Sequence, residues 1–185
     1  FMKRQFAGYL ILLVVLVIGF FIDSLVTNLV AESRTGLLNT FFIFVGKYLN
    51  YYVLAFVITI LPVLKKKKEN IVRIFLRLWS GFLFSASLAY IMKIIFSSPR
   101  PLFSLIEASN YSFPSGHAPV MFTLFPLFSK SFPEYKIYWL IFSILIAFSR
   151  IYLGVHYFTD VIASIIIGLL LGKGLIIIEN SIKAR

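Results

Sequence analysis

Apolar runs at residues 7–22, 40–64, 71–96, 117–128, 137–152 and 157–178 alternate along the chain with shorter polar, mostly basic stretches. Several runs approach or exceed the ~20 apolar residues that cross the hydrocarbon core of a bilayer. The pattern predicts an all-α, polytopic membrane protein, a six-transmembrane-helix bundle that forms one domain over residues 1–185. Met2, Lys3 and Arg4 precede the first run. That run is long for the core of a signal peptide and no small-x-small site follows before Asp23, so it reads as a retained first helix. Phe1 reads as extraneous, with Met2 the natural start. Asp23 to Asn39 is mixed and polar, is broken at Gly36, and has room for a short interfacial helix. Lys47 lies near the start of the second run, from where it can snorkel to the interface. Pro62 closes that run, and Lys65, Lys66, Lys67 and Lys68 follow.

The third helix opens on Arg73 and Arg77, read as snorkelling cations, and carries Lys93 near its far end. Ser97-Ser98-Pro99-Arg100-Pro101 stops it, because proline lacks the amide hydrogen and restricts the residue before it. Residues 102–113 form a short loop with aromatic content, in which Glu107 reads as solvated rather than catalytic. Pro114-Ser115-Gly116-His117 opens the fourth helix, which Pro119 and Pro126 should bend. Residues 130–136, with Pro133, are a basic turn. In the last helix Gly168, Gly172 and Gly174 allow close helix contact.

Composition narrows the class further. The chain is 60% hydrophobic and 18% aromatic, with a mean hydropathy of +0.94; soluble domains are ~45–50% apolar. A separate soluble domain has no room. Cysteine is absent, which removes disulfides, thiolate nucleophiles and cysteine metal sites. The formal charge of +11 would suggest nucleic acid in a soluble protein. Here the cations cluster between apolar runs, so no nucleic-acid partner is expected and membrane topology explains most of them. The positive-inside rule places the N-terminus, the 65–70 loop, the 130–136 turn and the C-terminus on the cytoplasmic side. Arg34, Lys93, Arg100 and Arg150 fall towards the other side, and all but Arg34 belong to polar clusters.

Those clusters carry the chemistry. Even numbers of crossings separate Lys93 and Arg100 from Ser115 to His117, and these from Arg150 to Asp160, so all reach one membrane face. Ionisable groups at membrane depth are costly and mark functional sites. Three cations match a phosphoryl dianion and its developing charge. Gly116 permits close approach of backbone amides, Ser115 can cap or donate, and the helix N-terminus adds its positive dipole end. His156 and Asp160 are spaced i, i+4 and share a face if the backbone is helical there; the carboxylate then fixes the imidazole tautomer. The chain's two histidines, both in this cup, suit a nucleophile and a general acid. A plainer reading of Arg150 to Asp160 is an interfacial arginine beside a hydrogen-bonded His–Asp pair. Two histidines and Asp160 could also form a facial metal set, but three neighbouring cations would repel a divalent ion.

Lys93-(six residues)-Arg100-Pro101, Pro114-Ser115-Gly116-His117 and Ser149-Arg150-(five residues)-His156-(three residues)-Asp160 together resemble the tripartite signature of the type 2 phosphatidic acid phosphatases. That superfamily includes bacterial lipid phosphatases, glucose-6-phosphatase and vanadium haloperoxidases. The resemblance implies that His156 is the nucleophile that becomes phosphohistidine, that Asp160 orients it, and that His117 protonates the leaving oxygen and later deprotonates water. It implies that Lys93, Arg100, Ser115, Gly116 and Arg150 bind the phosphoryl oxygens, with no metal and no cofactor. The 102–113 loop is short for the family, leaving little protein for a lid or headgroup pocket. The expected activity is hydrolysis of a membrane lipid phosphate at the periplasmic or outer face of a bacterial inner membrane. Candidate substrates are lipid A 1-phosphate, undecaprenyl pyrophosphate, phosphatidylglycerophosphate and phosphatidic acid, with the first two favoured. A phosphotransferase using the same phosphohistidine is the alternative enzyme. An anion transporter is the non-enzymatic alternative, disfavoured because the helices between cytoplasmic loops and cup are almost purely apolar.

Overall fold

The computed structural model of the chain describes residues 2–48, 51–64 and 70–184. Its α-helices are α1 (Met2–Glu32), α2 (Gly36–Tyr48), α3 (Tyr51–Leu64), α4 (Ile71–Phe96), α5 (His117–Ser131), α6 (Lys136–Tyr152) and α7 (Phe158–Lys183), with a 3₁₀ turn at Pro133–Tyr135. The expected all-helical architecture holds. Gly8–Glu32, Ile71–Phe96, Pro133–Tyr152 and Phe158–Ile182 are long and apolar enough to cross a membrane, and Gly36–Lys47 and Leu54–Val63 are shorter apolar helices. The lysine run at 65–68, on which the cytoplasmic assignment leaned, lies outside the described residues.

Two stretches differ from the expected elements. The first helix does not stop before Asp23 but continues to Glu32. Residues 24–32 contain neither Gly nor Pro, and the Asp23 carboxylate is taken up by Thr159, so nothing breaks the helix there. The apolar run 40–64 falls on α2, which starts at Gly36, and α3, with residues 49 and 50 outside the described residues. Gly46 weakens the helix, and Lys47 sits in the last turn of α2, where a cation offsets the C-terminal dipole. Lys47 therefore lies towards the far end of α2 rather than near the start of a helix.

The bundle is built around α5. From Ala118 to Leu124 every residue of α5 is buried, and it packs against α7, α4 and α6. Close approach of α7 is the work of two glycines. A Cβ at Gly168 would stand 3.0 Å from Phe122 Cβ, and one at Gly172 would stand 2.6 Å from Pro126 Cγ. Gly174, expected to do the same, has nothing within 4 Å and makes no such contact. Pro119 falls in the first turn of α5, where an amide hydrogen has no helical partner to lose, and α5 continues through Pro126.

At the end of the bundle away from the polar clusters, Arg77 is not a snorkelling cation. It is buried and forks onto Glu179, with Nε to Oε2 at 2.8 Å and Nη2 to Oε1 at 2.7 Å. Its Nη1 also donates to Ser131 Oγ at 2.6 Å. Lys130 joins from α5, donating to Glu179 Oε2 at 3.0 Å and to Asn180 Oδ1 at 2.9 Å. The network ties α4, α5 and α7 together. Removing one partner of a buried ion pair strands the other. Glu179→Gln is expected to lower stability by about 3 kcal/mol, read as a fall in melting temperature in detergent, while Arg73→Gln, at an exposed position, leaves it unchanged.

Candidate active site

Three chain segments deliver the site. The first is the end of α4. Ser97 adopts a left-handed conformation (φ 47°) and returns its N–H to the Lys93 carbonyl, closing the helix. That leaves Lys93 in the last turn with its ammonium reaching across to the carbonyls of Tyr111 and, at 3.2 Å, Ser112. Arg100 follows on the loop. It donates from Nε to Asn110 O and from Nη2 to Asn110 Oδ1, each at 2.5 Å, and from Nη1 to Val155 O. The second segment is the start of α5, with Gly116 as its N-cap and His117 as its first helical residue.

The third segment joins α6 to α7. Arg150 is buried in the last turn of α6, where Nε and Nη2 both donate to Ser149 Oγ, at 3.1 and 3.0 Å. Residues 153–157 then form a turn in which Gly154 takes φ +69°, a conformation that favours glycine. His156 sits in this turn, ahead of Phe158 where α7 begins. The expected helical i, i+4 geometry for His156 and Asp160 is therefore replaced by a turn-to-helix contact. The reason is local: Asp160 Oδ2 accepts the Tyr157 N–H at 3.0 Å, capping the first turn of α7, and the same oxygen accepts the Ser112 hydroxyl. His156 Nδ1 lies 3.7 Å from that oxygen. This is within Coulombic reach but too long for a hydrogen bond, and Nδ1 has no hydrogen-bond partner.

A cavity of about 630 Å³ opens among these segments, lined by Lys93, Arg100, Gly116, His117, Arg150 and His156. Six of the eight candidate residues thus share one chamber. The other two stand behind its wall. Ser115 is fully buried, its N–H on Ser164 Oγ at 2.9 Å and its own Oγ accepting Ala118 N–H at 3.4 Å. Asp160 reaches the chamber through Tyr157, Ser112 and His156, as above. Among the described residues, no group of three or more His, Cys, Asp and Glu side chains gathers as a metal site.

The 102–113 loop contributes more than its length suggests. Ile106, Glu107, Ala108 and Asn110 line the chamber, and the 110–112 backbone and side chains hold Arg100, Lys93 and Asp160 in place. Glu107 is exposed at this wall, in line with its reading as solvated. Gly46 of α2 also lines the chamber, and a Cβ there would come within 2.6 Å of Arg150 Nη2. Sequence reading passed over Gly46, Asn110, Ser112 and Ser164; Gly46, Ser112 and Ser164 act on partners far away in the chain, and Asn110 acts on Arg100 across its own loop.

Burial pushes the His156 imidazole down to about 4; Asp160 opposes that, and the charges of Lys93 and Arg100 add to it. The group is a base whose folded value lies below the ordinary 6.5. It is neutral, with its lone pair free, through neutral pH, and protonates only as pH falls through about 4. In a His117→Asn variant His156 is the sole histidine, so nitrogen-labelled histidine gives one titration curve. Its midpoint is expected near 4 in the substrate-free protein. A midpoint at the ordinary value would mean that the imidazole is solvated.

The stretch that carries these residues is similar to known proteins. The PAP2 superfamily profile matches residues 74–182, which contain every candidate residue. The chain belongs to the PAP2 superfamily and is a multi-pass membrane protein of its lipid phosphatase class. An undecaprenyl-diphosphatase of Sulfolobus acidocaldarius is 28% identical over 82% of this chain and 74% of its own length. A lipid A 1-phosphatase of Rhizobium etli is 31% identical, over 49% of this chain and 44% of the relative. In structure, the chain resembles Aquifex aeolicus LpxE with a TM-score of 0.73 at 25% identity, covering 84% of this chain and 94% of the other. It also resembles the Bacillus subtilis transmembrane PAP2 type phosphatidylglycerolphosphate phosphatase, with a TM-score of 0.72 at 23% identity over 94% of both chains; at that identity the likeness speaks for the fold.

Proposed function

We propose that residues 1–185 form one catalytic unit that hydrolyses a lipid phosphate monoester or pyrophosphate through a phosphohistidine at His156. The observation that carries this reading is the shared chamber, in which two imidazoles and three cations converge with one imidazole backed by a carboxylate. Lys93, Arg100 and Arg150 receive the phosphoryl oxygens, and the N-terminus of α5 at Gly116 adds its amides. The His156 nitrogen away from Asp160 attacks phosphorus as the bond to the lipid oxygen breaks. His117 gives its proton to that oxygen, and the lipid alcohol or lipid monophosphate departs. His117 then takes a proton from water, which attacks phosphorus and breaks the P–N bond. Inorganic phosphate leaves and His156 is regenerated. As the transition state gathers negative charge, the three cations supply the stabilisation that a divalent ion supplies in other phosphatases.

Undecaprenyl pyrophosphate and lipid A 1-phosphate are the leading substrates, supported by the residues of the chamber and by the relatives that act on them. The site faces the periplasm or outer leaflet, with both termini cytoplasmic and six crossings between them. Basic residues at 130–136 and the C-terminus support that orientation, and labelling of a cysteine at position 109 by an impermeant reagent in intact cells reads it. The deciding experiment is phosphate release by detergent-purified protein from a panel of lipid phosphates and pyrophosphates, with and without EDTA. Phosphate release that survives EDTA is expected. Transfer of the phosphate to a second lipid would identify a phosphotransferase instead, and uptake into proteoliposomes without hydrolysis a transporter.

A further inference from the structure

We infer that Asp23 and Arg34 are positioning residues that clamp the turn carrying His156 from both sides. The inference rests on the reading of His156 as nucleophile. Both residues lie outside residues 74–182, the span matched by the superfamily profile, on the first helix and the link that follows it.

Arg34 holds the entry to the turn. Its Nε and Nη2 donate to the Tyr152 carbonyl at 3.1 and 2.9 Å, and its Nη1 donates to the Phe103 carbonyl at 2.9 Å. One guanidinium therefore joins the C-terminal end of α6 to the 102–113 loop. The loop and turn are also joined directly, Leu105 N–H to Leu153 O at 2.8 Å. The C-terminal carbonyls of a helix have no helical partners, so a cation bonded to one both satisfies it and meets the negative dipole end. The turn leaves no space for a bulkier arrangement, since a Cβ at Gly154 would stand 2.7 Å from Arg34 Nη2.

Asp23 holds the exit. Its Oδ1 accepts the Thr159 N–H at 3.0 Å and its Oδ2 accepts the Thr159 hydroxyl. A carboxylate on the first turn of α7 satisfies an orphan amide and complements the dipole. Gly19, one turn earlier on α1, allows this approach; a Cβ there would meet Thr159 Cγ2 at 2.9 Å. Among the first 70 residues an acid inside an apolar helix and a cation on the far side of the membrane are both otherwise unexplained, and both end on this turn. With its two ends fixed to α1 and the α1–α2 link, the turn presents His156 to the chamber in one geometry.

Displacing a reacting group by about 1 Å can cost roughly 100-fold in rate. The test compares Arg34→Ala, Arg34→Lys, Asp23→Ala and Asp23→Asn in detergent, measuring melting temperature, kcat, KM and the single-turnover rate of phosphohistidine formation. Both alanine variants are expected to lose about 10- to 100-fold in that rate and in kcat, with KM changed by less than about twofold. Asp23→Asn keeps an acceptor for the Thr159 amide and recovers most of the loss. Arg34→Lys reaches one carbonyl where Arg34 reaches two, and falls between. If the alanine variants do not fold, the asparagine and lysine variants give the same ordering. Wild-type phosphorylation rates per folded molecule in all variants overturn the clamp. Turnover by the wild-type protein with no phosphate ever found on His156 overturns the nucleophile assignment itself, a separate result.

Discussion

His156→Ala is expected to remove both turnover and the covalent intermediate, on every substrate, while His117→Ala slows formation of the intermediate only where the leaving oxygen needs a proton. The asymmetry follows from the two environments. His156 lies 3.7 Å from a carboxylate oxygen through Nδ1, is neutral through neutral pH, and has its other nitrogen left for phosphorus. His117 starts a helix at the chamber wall, placed to serve the departing oxygen. General acid catalysis contributes about 10²–10⁴ in rate. In single turnover His117→Ala should therefore slow phosphohistidine formation by about that factor on a lipid phosphate, whose alkoxide leaves poorly, and by less than about 10-fold on nitrophenyl phosphate, whose phenolate leaves unaided. The ratio of the two single-turnover rates, followed as acid-labile label on the enzyme, reads the roles directly. Equal losses on both substrates in His117→Ala, with label persisting in His156→Ala, would reverse the assignment.

Which residues line the chamber was open to sequence reading; the means of holding them was not. Apolar periodicity and proline stops located the starts of α4 to α7 closely, while α5 and α7 run a few residues past their expected ends, to Ser131 and Lys183, where no proline or glycine stops them. The polar clusters stood out because cations that the positive-inside reading assigns away from the lysine run have no topological reason to be there. Crossing parity then brought Lys93, His117, Arg150 and His156 to one face, where the chamber collects them. What failed was the local geometry of His156 and Asp160. A four-residue spacing looks the same on a helix and across a turn, and only the positive φ at Gly154 separates the two. Asp23 and Gly46 left weaker traces. An acid in an apolar run is a signal in itself, yet its partner Thr159 is far down the chain, and a glycine opposite an arginine has no sequence signature at all. Arg34 was visible as a misplaced cation but offered no partner until the fold supplied the Tyr152 and Phe103 carbonyls.

Arg150→Ala is expected to cost about 10³-fold in kcat, the upper end of the effect of one preorganised donor on developing transition-state charge. Its guanidinium is buried in the chamber wall, so its charge acts on the phosphoryl group with little screening. Arg150→Lys keeps the charge but loses the planar fork, and should recover only part of the loss. Gly46 offers a subtler probe of the same group. An added Cβ would meet only the ends of two side chains, Leu153 Cδ1 and Arg150 Nη2, both able to swing aside without moving the backbone. Gly46→Ala is thus expected to change the melting temperature little, since the helical preference of Ala over Gly, ~1 kcal/mol, offsets the ~1 kcal/mol low-end cost of an extra methyl in a packed site. The guanidinium is nevertheless displaced from the place where the phosphoryl oxygens develop charge, and kcat should fall about 10-fold with KM nearly constant. Combining Gly46→Ala with Arg150→Ala separates this route from any other. If Gly46 acts through the guanidinium, the double variant is no slower than Arg150→Ala alone. Losses that multiply would show that Gly46 shapes the chamber independently of Arg150.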